Sequence, residues 1–311
     1  MGGSGRTGRG LGMSDDVTQQ VRAFYESIGW QSIADGLYQN ARYEDLRPVS
    51  REYLHRCHVR LGRFVPPTGS RLLDAGSGPI QYPEYLEYSR GYRRRVCLDL
   101  SLRALQEGRR RIGDHGLFVA GDVSALPFPR ATFDGIVSLH VLHHVPADRQ
   151  ERVLREFHRT LAPGGTAAVV YSWGTRSGLM RLAAWPVRAA EAFLGWIRTA
   201  RSRFRTKPDE SFSESAAVLH APGSFTFKHD SAWMRRVLTS IGGAEIRVWR
   251  SVDTRFSRAL IHGPVFGRAV LRMIFTLEEW APAWFGRHGA YPLIVLRRAP
   301  LAAVGGGSGS L

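Results

Sequence analysis

Five short apolar runs, separated by stretches that suit helices, limit what this chain can fold into. The runs are RLLDAG (71–76), RVCLDL (95–100), GLFVAGD (116–122), FDGIVSL (133–139) and TAAVVYS (166–172). Helical patterns occupy the stretches 82–90, 101–112 and 147–161. Strands that are apolar along their whole length are buried on both faces, so this alternation predicts an α/β fold with a doubly wound, mainly parallel sheet.

The rest of the chain is expected to complete this sheet and to cover it. Two more strands are predicted at 244–250 and 291–298, which makes seven. The glycine-rich start predicts disorder, and Ser14 is a candidate helix N-cap. The predicted organisation is a disordered segment (1–13), a helical N-terminal cover (14–67), a core (68–173), the remaining strands (174–300) with helical cap insertions at 174–224 and 253–288, and a flexible tail (301–311).

The chain is strongly basic, with 43 Lys and Arg against 27 Asp and Glu, a net charge of +16. Such a balance is typical of proteins that contact nucleic acid or anionic membranes. However, Lys207 and Lys228 are the only lysines, which indicates that part of the excess is a coding bias. We recognise no RNA-binding module, so a nucleic-acid partner is not expected. Two cysteines and the lack of an apolar leader favour a cytoplasmic location.

Three polar motifs follow the ends of the first three strands. DAGSG (74–78) is a strand-to-helix turn whose glycines let a ligand approach and whose free N–H groups face it, with a plain tight turn as the alternative. Asp99 ends the second strand, 23 residues after Gly76, where a carboxylate can accept hydrogen bonds from ribose hydroxyls or cap a helix. After the third strand, Asp122 suits the exocyclic amine of adenine and Val123 suits its ring.

These motifs carry a family resemblance. LLDAGSG (72–78), VCLDLS (96–101), GDVSALPFPRATFDGIVSLHVLHHV (121–145) and LREFHRTLAPGGTAAVVYSW (154–173) occur in this order. The set resembles the class I S-adenosylmethionine-dependent methyltransferases, in particular the ubiquinone/menaquinone-type small-molecule branch, over about a third of the chain. The resemblance implies a seven-stranded sheet with an antiparallel last strand, and S-adenosyl-L-methionine as the cofactor.

The same resemblance implies the cofactor site. The glycine turn would hold the methionine part, Asp99 the ribose, and Asp122 with Val123 the adenine. The predicted binding set is Asp74, Gly76, Ser77, Gly78, Asp99, Leu100, Asp122, Val123 and Leu139. One position departs from the family, because Ile80 replaces its third glycine and is expected to make the loop stiffer and bulkier. No metal site is expected, because HRCH (55–58) has no partner pair at ligand spacing.

Methyl transfer to a hydroxyl or an acidic carbon benefits from a general base, and histidine suits neutral pH. His140 follows the fourth strand at the edge where doubly wound sheets bind ligands, so it is the predicted catalytic residue. His144 is expected to lock the next turn, and His143 to face elsewhere. Tyr171 and Trp173 leave the fifth strand at the same edge, where they line the pocket or pack in the core.

Three further residues have two interpretations each. Tyr25 and Trp30 either cover the cofactor, as aromatic residues do in the resembling family, or pack in the core. His229 precedes a predicted helix and either reaches the pocket or belongs to the capping of that helix.

The two insertions should emerge on the cofactor side and cap the acceptor pocket, because the strands before them end there. GLMRLAAWPVRAAEAFLGWIRTARSRFR (178–205) is apolar and ends in a basic run, and 267–285 is also apolar on one face. Such helices either bury an apolar face in the cap or lie on an anionic membrane as a peripheral contact. Both interpretations favour a bulky, lipophilic acceptor.

The sequence therefore predicts a methyltransferase that acts on oxygen or carbon of a small, lipophilic or natural-product-like acceptor. An RNA or protein methyltransferase is the first alternative, although SLHV (138–141) stands where an Asn/Asp-Pro-Pro-aromatic motif would be. A protein that binds S-adenosylmethionine without transferring its methyl group is the second alternative, because fold does not fix function.

Overall fold

A seven-stranded sheet forms the centre of the structure, a computed structural model that describes residues 8–34, 37–39, 44–202, 224–263 and 265–300. Its strands are β3 (Gly69–Ala75), β4 (Tyr92–Asp99), β5 (Gly116–Ala120), β6 (Phe133–Leu139), β7 (Leu161–Val170), β8 (Ala244–Arg250) and β9 (Tyr291–Arg297). A separate antiparallel pair is formed by β1 (Ser32–Ala34) and β2 (Leu37–Tyr38).

The strand order is β5-β4-β3-β6-β7-β9-β8. Only β9 runs antiparallel to its neighbours β7 and β8, and the other pairs in the sheet are parallel. The order reverses between β3 and β6, which is the point where open α/β sheets bind ligands at the carboxyl ends of their strands. The predicted fold class, including the antiparallel last strand, is confirmed.

Helices cover both faces of the sheet. They are α1 (Gly8–Phe24), α2 (Arg51–Gly62), α3 (Pro83–Glu87), α4 (Leu102–Ile112), α5 (Gln150–Thr160), α6 (Gly178–Ser202), α7 (Ser231–Ile241), α8 (Thr254–Leu260), α9 (Phe266–Trp280) and α10 (Pro282–His288). Leu73 packs in one apolar cluster with side chains of α5 and α7, whereas its neighbour Leu72 packs in another with α2 and α9. This alternation along β3 explains why the strand is apolar throughout.

The N-terminal helix starts earlier than expected. α1 begins at Gly8, so the prediction of disorder is wrong for residues 8–13, and residues 1–7 lie outside the described residues. Ser14 lies inside the helix, where its Oγ donates to Asp148 (2.8 Å), and Asp15 pairs with Arg149 (2.6 Å). Extending a helix whose middle is already held by tertiary contacts costs little, because the nucleation step has been made.

The two insertions flank the sheet edge. α6 packs against α8, and Arg255 of α8 makes two hydrogen bonds to the Glu191 carboxylate of α6 (2.7 and 2.8 Å). α10 packs closely on β8. The predicted basic run after Ser202 and the predicted tail at 301–311 lie outside the described residues. None of the described helices is both long and apolar enough to cross a bilayer.

Candidate active site

One cavity of about 490 Å³ opens at the carboxyl ends of β3 to β6, beside the point where the strand order reverses. Its volume is typical of small-molecule sites, which range from about 300 to 1,000 Å³. All ten predicted site residues line it: Asp74, Gly76, Ser77, Gly78, Asp99, Leu100, Asp122, Val123, Leu139 and His140.

The turn after β3 is built for close approach. Gly76 and Gly78 both have positive φ, at +74° and +53°, in the left-handed region that favours glycine. A Cβ atom at Gly76 would lie 2.2 Å from Cγ2 of Val141, and one at Gly78 would lie 2.9 Å from the indole ring of Trp30. The turn therefore admits no side chain at either position without movement of its neighbours.

The N–H groups of this turn are not free, which corrects the sequence-based expectation. Gly76 and Ser77 donate to the backbone oxygen of Leu98 at the end of β4 (2.7 and 3.2 Å), and Gly78 donates to Oδ2 of Asp99 (2.9 Å). The parallel pairing of β3 with β4 brings these acceptors under the turn. A ligand at this turn therefore meets an open backbone surface rather than a set of unused donors.

Ile80 does not obstruct the cavity. It adopts φ +55°, in the left-handed region that favours glycine, and its side chain is fully buried with Cys97 and Leu105. It is absent from the cavity lining. The expected bulk at this position is therefore directed into the core, where burial of an isoleucine offsets a strained backbone.

The first carboxylate of the turn is held by a buried ion pair. Asp74 Oδ2 accepts hydrogen bonds from Nε and Nη2 of Arg95 (3.1 and 2.5 Å), and both side chains are almost wholly buried. Arg95 lies one strand away on β4 and also donates to the backbone oxygen of Tyr85 (2.5 Å). This pair fixes Asp74 beside the turn, because separating two buried charges is costly.

Asp99 carries the most perturbed carboxylate of the predicted cofactor set. Its Oδ1 accepts from the backbone N–H of Ser101 (2.8 Å) and its Oδ2 from that of Gly78. Burial raises the pKa of Asp99 to about 6, although these two backbone hydrogen bonds lower it. Ser101 itself is the side-chain N-cap of α4, accepting from Ala104 (3.1 Å). Asp99 is therefore not needed as the cap and faces the cavity.

Asp122 and Val123 lie just beyond the end of β5 and line the cavity. Asp122 Oδ1 accepts from the backbone N–H of Ser124 (2.7 Å), which fixes its side chain, and Val123 is buried. Leu100 and Leu139 line the same space from the ends of β4 and β6.

The N-terminal segment closes one side of the cavity. Tyr25 stacks on Trp30 (5.3 Å between ring centroids), and the Tyr25 hydroxyl lies 3.1 Å from Nε2 of His144. Glu26 accepts hydrogen bonds from the backbone N–H groups of Leu102 and Arg103 at the start of α4 (2.6 and 3.3 Å). Tyr25 and Trp30 both line the cavity, so their position agrees with the cover interpretation.

His140 occupies a strained and half-buried position at the end of β6, and its Nε2 atom is buried. Its φ is +60°, unusual for a residue other than glycine, and such strain is concentrated at functional sites. Burial lowers the pKa of His140 to about 3, which the Glu44 carboxylate opposes and the Arg250 guanidinium supports. The imidazole is therefore neutral at physiological pH, and its Nε2 has no hydrogen-bond partner among the described residues.

The other histidines and aromatic residues singled out in the sequence differ in whether they line the cavity. His144 donates or accepts at both nitrogens, with the Phe225 carbonyl 2.8 Å from Nδ1, so it holds the turn as expected. His143 was expected to face elsewhere, but it lines the cavity because the short 3₁₀ turn after β6 rotates it inward. Tyr171 and Trp173 are buried in the apolar core and do not line the cavity.

His229 belongs to the helix-capping region. Its ring stacks on Trp233 (3.7 Å), and its neighbour Asp230 caps α7 by accepting from the Trp233 N–H (2.8 Å). His55 and His58 both face Glu84, and no group of three His, Cys, Asp or Glu side chains in the described residues is arranged for a metal ion.

Sequence reasoning missed a charged cluster in the cavity. Glu44 pairs with Arg250 (2.6 Å), and both line the cavity with His140, Tyr291 and Lys228. The Arg250 guanidinium lies over the Tyr291 ring (4.5 Å to the centroid). Arg250 was detectable, because it ends the predicted strand at 244–250 on the ligand edge. Glu44 was not, because nothing in the local sequence places it there.

Unsatisfied polar atoms collect around this cavity. Ten buried side-chain nitrogen or oxygen atoms of the described residues lack a hydrogen-bond partner, and six of them belong to cavity-lining residues: Trp30 Nε1, Gln81 Nε2, His140 Nε2, His143 Nδ1, Ser224 Oγ and Arg250 Nε. Because buried polar groups are normally paired, this concentration indicates that a polar ligand supplies the missing partners.

The described helices of the insertions do not form the expected cap over the cavity, although Ser224, the last residue of the first insertion, lines it. No described residue of α6, α8, α9 or α10 lines the cavity. The Trp173 indole donates to the Gly286 carbonyl (2.8 Å), and Ser177 Oγ donates to the His288 carbonyl (2.8 Å). These two hydrogen bonds hold the chain after β7 against α10. The cover is supplied instead by the N-terminal segment and by Ser224, Thr226 and Lys228.

Known proteins that resemble the chain agree with this geometry. Residues 73–169 match the model of the family described as "Methyltransferase domain". The ubiquinone/menaquinone biosynthesis C-methyltransferase of Coxiella burnetii is 27% identical over 165 residues, which cover 50% of this chain and 61% of that protein. The corresponding protein of Roseobacter denitrificans is 29% identical over 172 residues, covering 51% and 67%. The chain thus spans about three fifths of the Coxiella relative.

Two solved structures share the fold at low sequence identity. Phosphoethanolamine N-methyltransferase 1 of Haemonchus contortus superposes with a TM-score of 0.52 at 11% identity, covering 94% of this chain and 50% of that one. A DhpI–SAH complex gives 0.50 at 14% identity, covering 92% and 98%. With the order of the seven strands, these likenesses show that the chain shares its fold with these two proteins, and the matched domain lies at the centre of that fold.

Proposed function

We propose that this protein is an enzyme that uses S-adenosyl-L-methionine to methylate an oxygen or carbon atom of a small acceptor. The observation that carries the proposal is a cavity in which the nine predicted cofactor residues meet a histidine, His140, whose buried Nε2 has no partner among the described residues. The relatives from Coxiella and Roseobacter are named as C-methyltransferases, which supports methyl transfer as the reaction class.

The cavity residues fit the cofactor at three points. The open turn at Gly76 and Gly78 leaves space for the methionine part, and the Asp99 carboxylate offers lone pairs to the ribose hydroxyls. Asp122 and Val123 line the same cavity and would hold the adenine. When bound, S-adenosylmethionine supplies an electrophilic methyl group, so the task of the protein is to position the acceptor atom.

The acceptor side is formed by His140, Glu44, Arg250 and Tyr291. Neutral His140 can accept a proton at Nε2, and the Glu44 carboxylate stabilises the imidazolium that forms. Because burial lowers the pKa of His140, its imidazole is a weak base, and a weak base assists best where the acceptor atom is itself acidic. The site therefore favours an acceptor whose oxygen or carbon is already acidic, with Arg250 placed to attract the resulting anion.

The acceptor we propose is small and largely lipophilic. Six aromatic side chains line the cavity: Phe24, Tyr25, Trp30, Tyr82, Tyr85 and Tyr291. Flat apolar walls with a few fixed polar groups are typical of sites for lipophilic small molecules. For location we propose the cytoplasm.

Calorimetric titration of the full chain with S-adenosylmethionine and with S-adenosylhomocysteine tests the proposal. We expect saturable binding of both, and transfer of a labelled methyl group to a small molecule in cell extract. Binding without any labelled product in extract from the native host would favour a non-transferase cofactor-binding protein instead. If neither compound binds at millimolar concentration, the proposed function is wrong.

Cofactor binding should weaken in mild acid because of Asp99. The ribose hydroxyls need the ionised carboxylate as their acceptor, and burial raises the pKa of Asp99 to about 6. We expect a dissociation constant that is constant above about pH 7 and rises up to about tenfold per pH unit below about pH 6. The Asp99→Asn variant should bind weakly with a flat profile. Wild-type binding that does not change between about pH 5 and 7 would contradict this role.

A further inference from the structure

The exposed apolar side chains are concentrated on the two insertions. Fifteen large apolar residues of the described chain are exposed, and ten of them lie between Leu182 and Trp284. Four of the eight tryptophans are among them, at positions 185, 196, 280 and 284. Contiguous exposed apolar surface of this kind marks a site of interaction, whereas single exposed apolar residues are ordinary.

On α6 these residues form a continuous stripe. Leu182, Trp185, Phe193 and Trp196 are 81%, 79%, 59% and 67% exposed. At 100° per residue their side chains fall within one face of the helix, and Ala189 lies between them. The rings of Phe193 and Trp196 stack on each other (6.2 Å between centroids). We call these four residues the α6 stripe.

The opposite side of α6 is already occupied by protein. Val187 is buried, and Glu191, at the far edge from the stripe, is held by Arg255 of α8. The helix is therefore docked on the fold through one face, and the stripe points outward. This arrangement excludes the interpretation in which the aromatic residues of α6 form a buried cap face.

The basic residues of α6 indicate what kind of surface covers the α6 stripe. The segment 174–202 has five arginines and one glutamate, and Arg181 and Arg188 are exposed along one border of the stripe. Neither of these two arginines forms an ion pair with a described residue. Long basic side chains beside an apolar aromatic face suit the boundary between lipid headgroups and acyl chains, where the guanidinium reaches the phosphates.

We propose that α6 docks the protein on an anionic lipid surface, with the α6 stripe in the interface and Arg181 and Arg188 on the headgroups. A second outward stripe on α9, formed by Phe266, Met273, Leu277 and Trp280, shows that the apolar exposure is not confined to one helix. This contact is peripheral, and it does not depend on the proposed methyl transfer.

Vesicle flotation of the full chain tests the docking surface. We expect binding to vesicles of phosphatidylcholine with phosphatidylglycerol to exceed binding to phosphatidylcholine alone at least about tenfold, and high salt to remove the difference. The Trp185→Ser/Trp196→Ser variant should bind anionic vesicles about tenfold less. Leu117→Ser, which removes a similarly exposed residue from β5, should bind like the wild type.

Replacement of Arg181 and Arg188 measures how much charge contributes to vesicle binding, apart from the apolar contact. The Arg181→Gln/Arg188→Gln variant should lose about tenfold to thirtyfold in binding to anionic vesicles and nothing on neutral ones. Its matched control, Arg103→Gln/Arg109→Gln on the exposed side of α4, should change neither. Unaltered S-adenosylmethionine binding in all four variants would show that the fold is intact.

Three results would overturn the proposal. The first is equal binding, or none, on the two vesicle types. The second is wild-type binding by the stripe variant. The third is a dimer, seen by sedimentation velocity, that the stripe variant dissociates, because a second copy of the chain would then be the occupant.

Discussion

Replacement of Gly76 by alanine should destabilise the protein by about 2–5 kcal/mol. The new Cβ would lie 2.2 Å from Val141 Cγ2, and overpacking of this kind costs about 1–3 kcal/mol. The φ of +74° adds about 1–2 kcal/mol for any residue with a Cβ. Urea unfolding followed by far-ultraviolet circular dichroism measures the change, and cofactor affinity should fall with it because Val141 lines the same cavity.

Gly113 offers a matched control. Its φ is +51°, but a Cβ there would meet nothing within 4 Å, so Gly113→Ala carries the conformational cost alone, about 1–2 kcal/mol. The double variant Gly76→Ala/Val141→Ala should lose less unfolding free energy than the two single variants lose together, because the smaller side chain at position 141 removes the clash. If Gly76→Ala is no less stable than Gly113→Ala, the close approach of Val141 is not a constraint.

Replacement of His140 by asparagine should lower methyl transfer about hundredfold while leaving the dissociation constant of S-adenosylmethionine unchanged. Asparagine tolerates the left-handed backbone at φ +60°, so the change removes the proton acceptor without adding strain. The loss corresponds to the lower range for general-base catalysis, since a strongly depressed pKa makes the imidazole a weak base. Single-turnover transfer of a labelled methyl group, with calorimetry for the cofactor, separates the two quantities.

The pH profile gives a second measure of the same role. Burial lowers the pKa of His140 to about 3, so the imidazole is already deprotonated above about pH 5. The wild-type rate at saturating cofactor should therefore show no inflection near the ordinary histidine pKa of about 6.5. His262→Asn, at an exposed position before α9, is the control and should keep full activity. Full activity in His140→Asn would exclude the base role.

The sequence predicted the sheet well because its information is local. Five of the seven strands contain a short apolar run that is visible in the sequence, and β3 and β4 then bring DAGSG (74–78) and Asp99 to one edge of the sheet. The residues of the cofactor half could be named for the same reason.

The acceptor half could not be predicted in the same way because it depends on long-range packing. Glu44 meets Arg250 across 206 residues, and no periodicity relates them. The direction of α6 was also unpredictable, since it follows from hydrogen bonds of Trp173 and Ser177 to the carbonyls of Gly286 and His288. An amphipathic pattern shows that a helix has an apolar face, but not whether protein or another surface covers it.

The ion pair between Glu44 and Arg250 also sets an order of assembly during synthesis. Every residue of the predicted cofactor set has been synthesised once Leu139 has been added, whereas Arg250 and Tyr291 follow more than a hundred residues later. Chains fold from the N-terminus as they emerge. A nascent chain should therefore gain the ability to hold its nucleotide first, and the guanidinium that closes on Glu44 should complete the acceptor pocket only near the end of translation.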